Sequence, residues 1–267
     1  MVYRVMQLVV AAAALALTSV SPAAPEKGAA SGGLDKSFEA LKAYDWGQDR
    51  APLRAIEDAA VATHGDAAAR KDLETRLVAA IKDNSTRGAK DFICRQLSVV
   101  GTAESVPALA VLLTDKDNSH MARYALERIP GPEAVKAMRE AVRKTSGAVK
   151  AGIIGSLGVR RDTESVPAMI ALLGDSDKTV AIAAAGSLGA IGTPDAAKAL
   201  GDFLKKAPED VNLAVADGCL ACAERLLADG KKADAMAIYK SLAGQDQPKH
   251  IRLAATRGLL SVAGKKE

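Results

Sequence analysis

The chain has 267 residues, 49% of them hydrophobic, 25% charged and only 3% aromatic, with 36 basic against 32 acidic side chains for a net charge of +4. Alanine dominates the apolar share, which favours closely packed helices over a sheet sandwich. The mild basic excess gives no support for a nucleic-acid binder, and three cysteines at uneven spacing exclude a disulfide scaffold.

In chain order, Arg4 precedes an apolar stretch from Val5 to Leu17, and Ser21 and Ala23 put small residues at the −3 and −1 positions of a cleavage site. Residues 1–23 therefore read as a secretory signal peptide; the apolar run falls short of the ~20 residues of a membrane span. Residues 24–33 read as a flexible leader. The expected location is exported, periplasmic or extracellular, with no transmembrane segment after cleavage. Residues 34–65, containing the only tryptophan, Trp46, read as an N-terminal helical cap over an otherwise open apolar end.

Residues 66–264 are governed by internal repetition. Ala103-Glu-Ser-Val-Pro-Ala-Leu returns as Thr163-Glu-Ser-Val-Pro-Ala-Met, and the aligned acids Glu104, Glu133, Glu164 and Asp195 lie 29, 31 and 31 residues apart. Gly155-Ser-Leu-Gly158 recurs as Gly186-Ser-Leu-Gly189. In the clearest unit Val166, Met169, Ile170 and Leu173 share one helix face. Gly174-Asp-Ser-Asp177 then supplies a turn with capping side chains, and a second helix runs to Ile191 with Gly192 as its stop. Helix pairs are expected at 35–64, 66–100, 103–129, 132–158, 163–191, 194–229 and 231–263, about six of them in the solenoid itself, the last ones similar to tetratricopeptide pairs. Alignment of the last two repeats sets Cys219 level with Leu259.

The segment Leu172-Leu-Gly-Asp-Ser-Asp177-Lys-Thr-Val180, followed by Ala183-Ala-Ala-Gly-Ser-Leu188-Gly-Ala-Ile191-Gly192, resembles the HEAT-like repeat of bacterial proteins, as do Pro107 and Pro167 inside first helices. A basic residue after the turn's valine or its equivalent (Lys150, Arg252) also fits; Ala181 and Asn212 depart from the pattern. The resemblance covers residues 66–264. It implies an all-α, right-handed α-solenoid of stacked antiparallel helix pairs whose second helices line a concave groove.

Chemistry-bearing motifs fail one by one. His64, His120 and His250 have no second ligand at metal spacing. Cys219-Leu-Ala-Cys222 falls in mid-helix, where no helix terminus lowers a thiol pKa, and reads as core, as does Cys94. Asp115-Lys-Asp117-Asn-Ser119 begins like a calcium loop, but His120 stands where glycine is needed and Leu126 where glutamate is needed. Gly152, Gly155 and Gly158 are not a nucleotide loop and are expected on a packed helix face. No cofactor or metal is expected.

One charge feature remains. Between Lys136 and Arg161 stand seven basic residues and one acid, Glu140. Arg143, Lys144, Lys150, Arg160 and Arg161 are the candidate partner-binding residues, facing an anionic partner; the alternative is the solvated outer face of two helices and a turn. Scarce aromatics and export argue against nucleic acid. The expected function is a non-catalytic, protein-binding scaffold of the cell envelope. The alternative is a maturation enzyme or chaperone acting on a partner protein, resembling the HEAT-like phycobilin lyases.

Overall fold

The computed structural model describes residues 27–83 and 85–264; the expected signal peptide lies outside them. Among the described residues the regular structure is helical throughout, in seven consecutive pairs: α1 (Lys27–Ala43) with α2 (Arg54–Ala62), α3 (Ala67–Lys82) with α4 (Arg87–Val100), α5 (Val106–Leu112) with α6 (Ser119–Leu126), α7 (Pro132–Lys144) with α8 (Gly147–Val159), α9 (Val166–Leu172) with α10 (Lys178–Ile191), α11 (Pro194–Leu204) with α12 (Glu209–Ala228), and α13 (Lys232–Leu242) with α14 (Lys249–Gly264). Helix α1 starts inside the stretch expected as a leader, running as helical backbone from Lys27 into the amphipathic Leu34–Phe38–Leu41 face.

Short polar side chains start the helices. Asp66, Thr86, Asp177 and Thr193 each accept a hydrogen bond from a first-turn amide, which satisfies a donor the helix itself cannot. Pro107 and Pro167 stand in the first turn of α5 and α9 rather than within them, where a missing N–H costs nothing. Each of these helices is entered through a 3-10 turn (Ala103–Ser105 and Thr163–Ser165) anchored by a buried carboxylate. Glu74 accepts from the Thr102 amide at 2.6 Å and its hydroxyl at 3.0 Å. Asp162 accepts from Ser165 Oγ and is gripped by Arg139 at 2.7 and 2.9 Å. At the other end of α10, Gly192 takes φ +69°, a left-handed stop that disfavours a side chain.

The second helices of successive pairs pack backbone against backbone. A Cβ on Gly158 would lie 2.8 Å from Ser187 Oγ, and one on Gly189 would lie 2.5 Å from the Gly218 carbonyl oxygen. Ser187 Oγ donates to the Ile154 carbonyl at 2.9 Å across the same seam. First helices carry larger side chains and stand further apart; between α9 and α11 a cleft of about 510 Å³ is lined by Ile170 and Phe203. A stack whose second-helix layer is tighter than its first-helix layer must curve with the second helices inside.

The core is one continuous seam. Leu97, Leu126, Leu157 and Leu188 occupy the same register on α4, α6, α8 and α10, and all are buried. Cys219 continues the row on α12. Leu259 on α14 is only partly buried, because among the described residues α14 has a neighbouring pair on one side alone. At the other end, Tyr44 packs edge-on to Phe92 at 6.3 Å, while Trp46 stays about half exposed beneath Arg87. The first pair thus seals its neighbour through Tyr44, not through the tryptophan.

Candidate functional site

Each second helix has four directions, seen best on α10. Gly189 and Ala185 face α12, Ser187 faces α8, Leu188 faces the core, and Gly186 faces outward into the curve, where a Cβ would meet nothing within 4 Å. The outward direction carries apolar as well as charged side chains. Of the ten large hydrophobic side chains exposed among the described residues, eight lie on second helices. Six of these, Val99, Tyr124, Val159, Ile182, Leu213 and Leu253, stand one per helix from α4 to α14. They fall two residues after, or two or six before, the buried core residue of the row, so at ~100° per residue all six point within about 40° of Gly186. Ile182, Leu213 and Leu253 are 42%, 45% and 60% exposed at identical register on α10, α12 and α14. The six share one side of the layer in two sets, Val99, Tyr124 and Val159 near the level of the core residues and Ile182, Leu213 and Leu253 nearer the helix starts, with a step of eight residues, ~12 Å, between Val159 and Ile182.

Side chains vary along the groove. At the α4–α6 end Tyr124 is stacked by two guanidinium groups, Arg128 at 3.8 Å and Arg95 at 5.6 Å from its ring centroid. In the middle the floor is bare: Gly155, like Gly186, faces open space, so it does not share the packed side of its helix with Gly152 and Gly158 as the sequence pattern had predicted. At Gly152 a Cβ would sit 2.8 Å from Arg123 Cζ, so a side chain there would displace the end of Arg123. Arg123 lies between α6 and α8 and donates to the Gly152 carbonyl at 3.0 Å; burial lowers its pKa, against the opposing pull of Glu127. Towards the other end Asp217 and Arg257 occupy the register of the two open glycines.

The five basic candidates are not one patch. Arg160 is an internal staple: its guanidinium donates to the carbonyls of Leu126 at 2.9 Å, Ile129, and Gly131 at 3.0 Å, capping the end of the α6 repeat. Arg161, in left-handed conformation at φ +52°, pairs with Asp229 at 2.8 Å. Arg143 and Lys144 stand exposed in the last turn of α7, where their charge complements the helix dipole, and Lys150 is half-buried in the first turn of α8. These three have no ion pair or side-chain hydrogen bond among the described residues and form a basic edge beside the groove. The spacing in sequence gave no sign that Arg160 turns inward, because its acceptors are main-chain carbonyls of the preceding repeat.

The remaining candidate chemistry is buried or self-satisfied. Cys94, Cys219 and Cys222 are free and buried, and burial pushes their thiols up to about 12, about 12 and about 11. Asp115 closes its own turn, accepting from the Asp117 amide at 2.8 Å. Among the described residues no group of three His, Cys, Asp or Glu side chains is placed to hold a metal ion. None of the helices there is long and apolar enough to cross a membrane.

This geometry defines a class, an all-helical solenoid of stacked antiparallel helix pairs. Residues 135–221 match the HEAT repeats family. Over 131 residues the chain is 30% identical to deoxyhypusine hydroxylase of Gallus gallus, a match that covers 47% of this chain and 42% of that protein, so the chain spans less than half the length of that curated relative. Among solved structures, the complex of CpcE and CpcF of phycocyanin lyase from Nostoc sp. PCC7120 aligns with 85% of this chain and 93% of its own at 16% identity and TM-score 0.42. Human deoxyhypusine hydroxylase in complex with glycerol aligns with 89% of this chain and 98% of its own at 15% identity and TM-score 0.34.

Proposed function

We propose that this protein is a non-catalytic polypeptide-binding scaffold of the cell envelope, and that recognition runs along the concave row of the second helices with Arg143, Lys144 and Lys150 as a basic rim. One observation carries the reading: each second helix from α4 to α14 presents an exposed apolar side chain on the same side of the layer. Apolar side chains repeated over six successive helices suit a long polypeptide segment, which can place its own apolar side chains against them, better than phosphate or sugar hydroxyls, to which aliphatic groups offer no partner. Export rests on the Arg4, apolar-core and Ser21/Ala23 arrangement.

The test replaces Ile182 by a photo-crosslinking amino acid in the native host. Irradiation is expected to join one or a few envelope proteins to this position, while the same probe at Ala171 on the outer layer joins none. No crosslink from Ile182, or equal crosslinking from both positions, would sink the reading. N-terminal sequencing of the purified protein tests export, with a start near Ala24 expected and a start at Met1 contradicting it.

A second reading, an enzyme acting on a partner protein, is favoured by the 30% identity to a relative that is an enzyme by name. It requires a covalent change in the crosslinked partner, which mass mapping of that partner with and without this protein would reveal.

A further inference from the structure

The groove has a direction, and we infer from it the chemistry of the segment it takes: a polypeptide with acidic residues at the α4–α6 end and large aliphatic side chains over the bare floor at Gly155 and Gly186. The inference rests on the polypeptide-binding reading and adds what the segment looks like and which way it lies.

Charge along the inner layer is uneven. Helices α4, α6, α8 and α10 together carry six basic residues and one acid, Asp91, with Glu127 and Arg128 just beyond α6; α12 carries four acids and one base, and α14 beyond it three bases and no acid. At the basic end Arg95 and Arg128 are each about half exposed despite their contacts to Asp91 and Glu127, and both flank the Tyr124 ring. Guanidinium groups held against an aromatic face lose little freedom when they accept a carboxylate in their fork. Next to the bare floor on α8 and α10, an acidic segment would meet Asp217 and Glu224 on the α12 side but Arg95 and Arg128 on the α4–α6 side, which favours the latter.

The floor supplies the second half. Glycine in a helix interior costs up to ~1 kcal/mol against alanine. Gly152, Gly158, Gly189 and Gly218 have an internal reason, since a Cβ would collide with a neighbour. Gly155 and Gly186 have none: both are helical, and both face open space. Their absent side chains leave open space on the floor, with the exposed apolar Val159 four residues beyond Gly155 and Ile182 four residues before Gly186, where an aliphatic side chain from outside could lie.

The experiment uses the full mature chain and two labelled synthetic peptides, one with four glutamates followed by leucine-rich sequence, the other with lysines in place of the glutamates. In fluorescence anisotropy the acidic peptide is expected to bind at least about tenfold more tightly, with the difference shrinking as salt rises. Gly186→Leu puts a side chain into that open space from a Cβ that meets nothing within 4 Å, so circular dichroism stays unchanged while affinity drops at least about tenfold. Arg95→Ala with Arg128→Ala removes the preference for the acidic peptide but keeps residual binding of both. Equal affinity for the two peptides, binding of neither, or wild-type affinity in Gly186→Leu would overturn the inference. A crosslinked partner that contacts Ile182 through a basic segment would overturn it too, while leaving the polypeptide-binding reading intact; failure to crosslink anything removes both.

Discussion

Arg160→Ala should behave as a core mutation although residue 160 belongs to a basic stretch that looks like surface. Its guanidinium reaches four main-chain carbonyls at the end of the preceding repeat, those of Leu126, Glu127, Ile129 and Gly131. A hydrogen bond to a charged group contributes ~1.5–3 kcal/mol, but water can re-solvate the half-exposed carbonyls, so the net loss is set at about 2–3 kcal/mol. For a chain of this size each kcal/mol moves the melting temperature by ~2–4 °C, giving a drop of roughly 5–10 °C by calorimetry. Arg160→Lys should recover only a minority of the loss, because an ammonium lacks the planar fork that spans separated acceptors. Lys144→Ala, in the same stretch, should change stability by less than ~0.5 kcal/mol. Hydrogen exchange in Arg160→Ala should rise first at the end of α6. If Arg160→Ala and Lys144→Ala melted alike, the stapling role would be refuted.

Leu188→Ala removes a wholly buried side chain from the seam and should cost ~2–5 kcal/mol in chemical denaturation. Gly155→Ala should stabilise by up to ~1 kcal/mol, whereas Gly189→Ala, which drives a methyl to 2.5 Å from the Gly218 carbonyl oxygen, should destabilise. The three thiols should react slowly with a chromogenic disulfide in the folded protein and rapidly in denaturant. Because burial raises the thiols from 9.0 to about 12 for Cys94 and Cys219 and about 11 for Cys222, their contribution to stability is complete below pH 9 and lost as pH climbs towards 12. Replacing all three by alanine should flatten that alkaline decline.

Much of the fold was legible because its signals are local and repeated. Thr193-Pro194 and Asp177 announce helix starts, Gly192 announces a stop, and the spacing of Leu157 from Leu188 sets the register of the seam. The groove's chemistry was less legible. Gly155 and Gly158 look alike in the sequence, yet one faces a gap and the other the Ser187 hydroxyl, a difference made by the neighbouring helix. Arg160 and Arg143 likewise look alike, and only the geometry of the α6 terminus turns Arg160 inward. Ile182, Leu213 and Leu253 were missed because each is an ordinary apolar residue in its own helix. The signal was available in the alignment of repeats: each stands six residues before its core residue, on the side where Gly186 faces out.

The most direct test compares retention of proteins from the native host by three immobilised forms of the protein: wild type, the groove variant Ile182→Asp with Leu213→Asp, and the rim variant Arg143→Ala with Lys144→Ala and Lys150→Ala. All three should show the same helical circular dichroism, since every substituted side chain is exposed or half-exposed. Quantitative mass spectrometry should then find a defined set of proteins held by wild type, held somewhat less by the rim variant with a stronger salt dependence in wild type, and lost from the groove variant. A groove variant that retains the wild-type set, with the rim variant losing it, would contradict recognition along the second helices and move the binding surface to the α7–α8 edge.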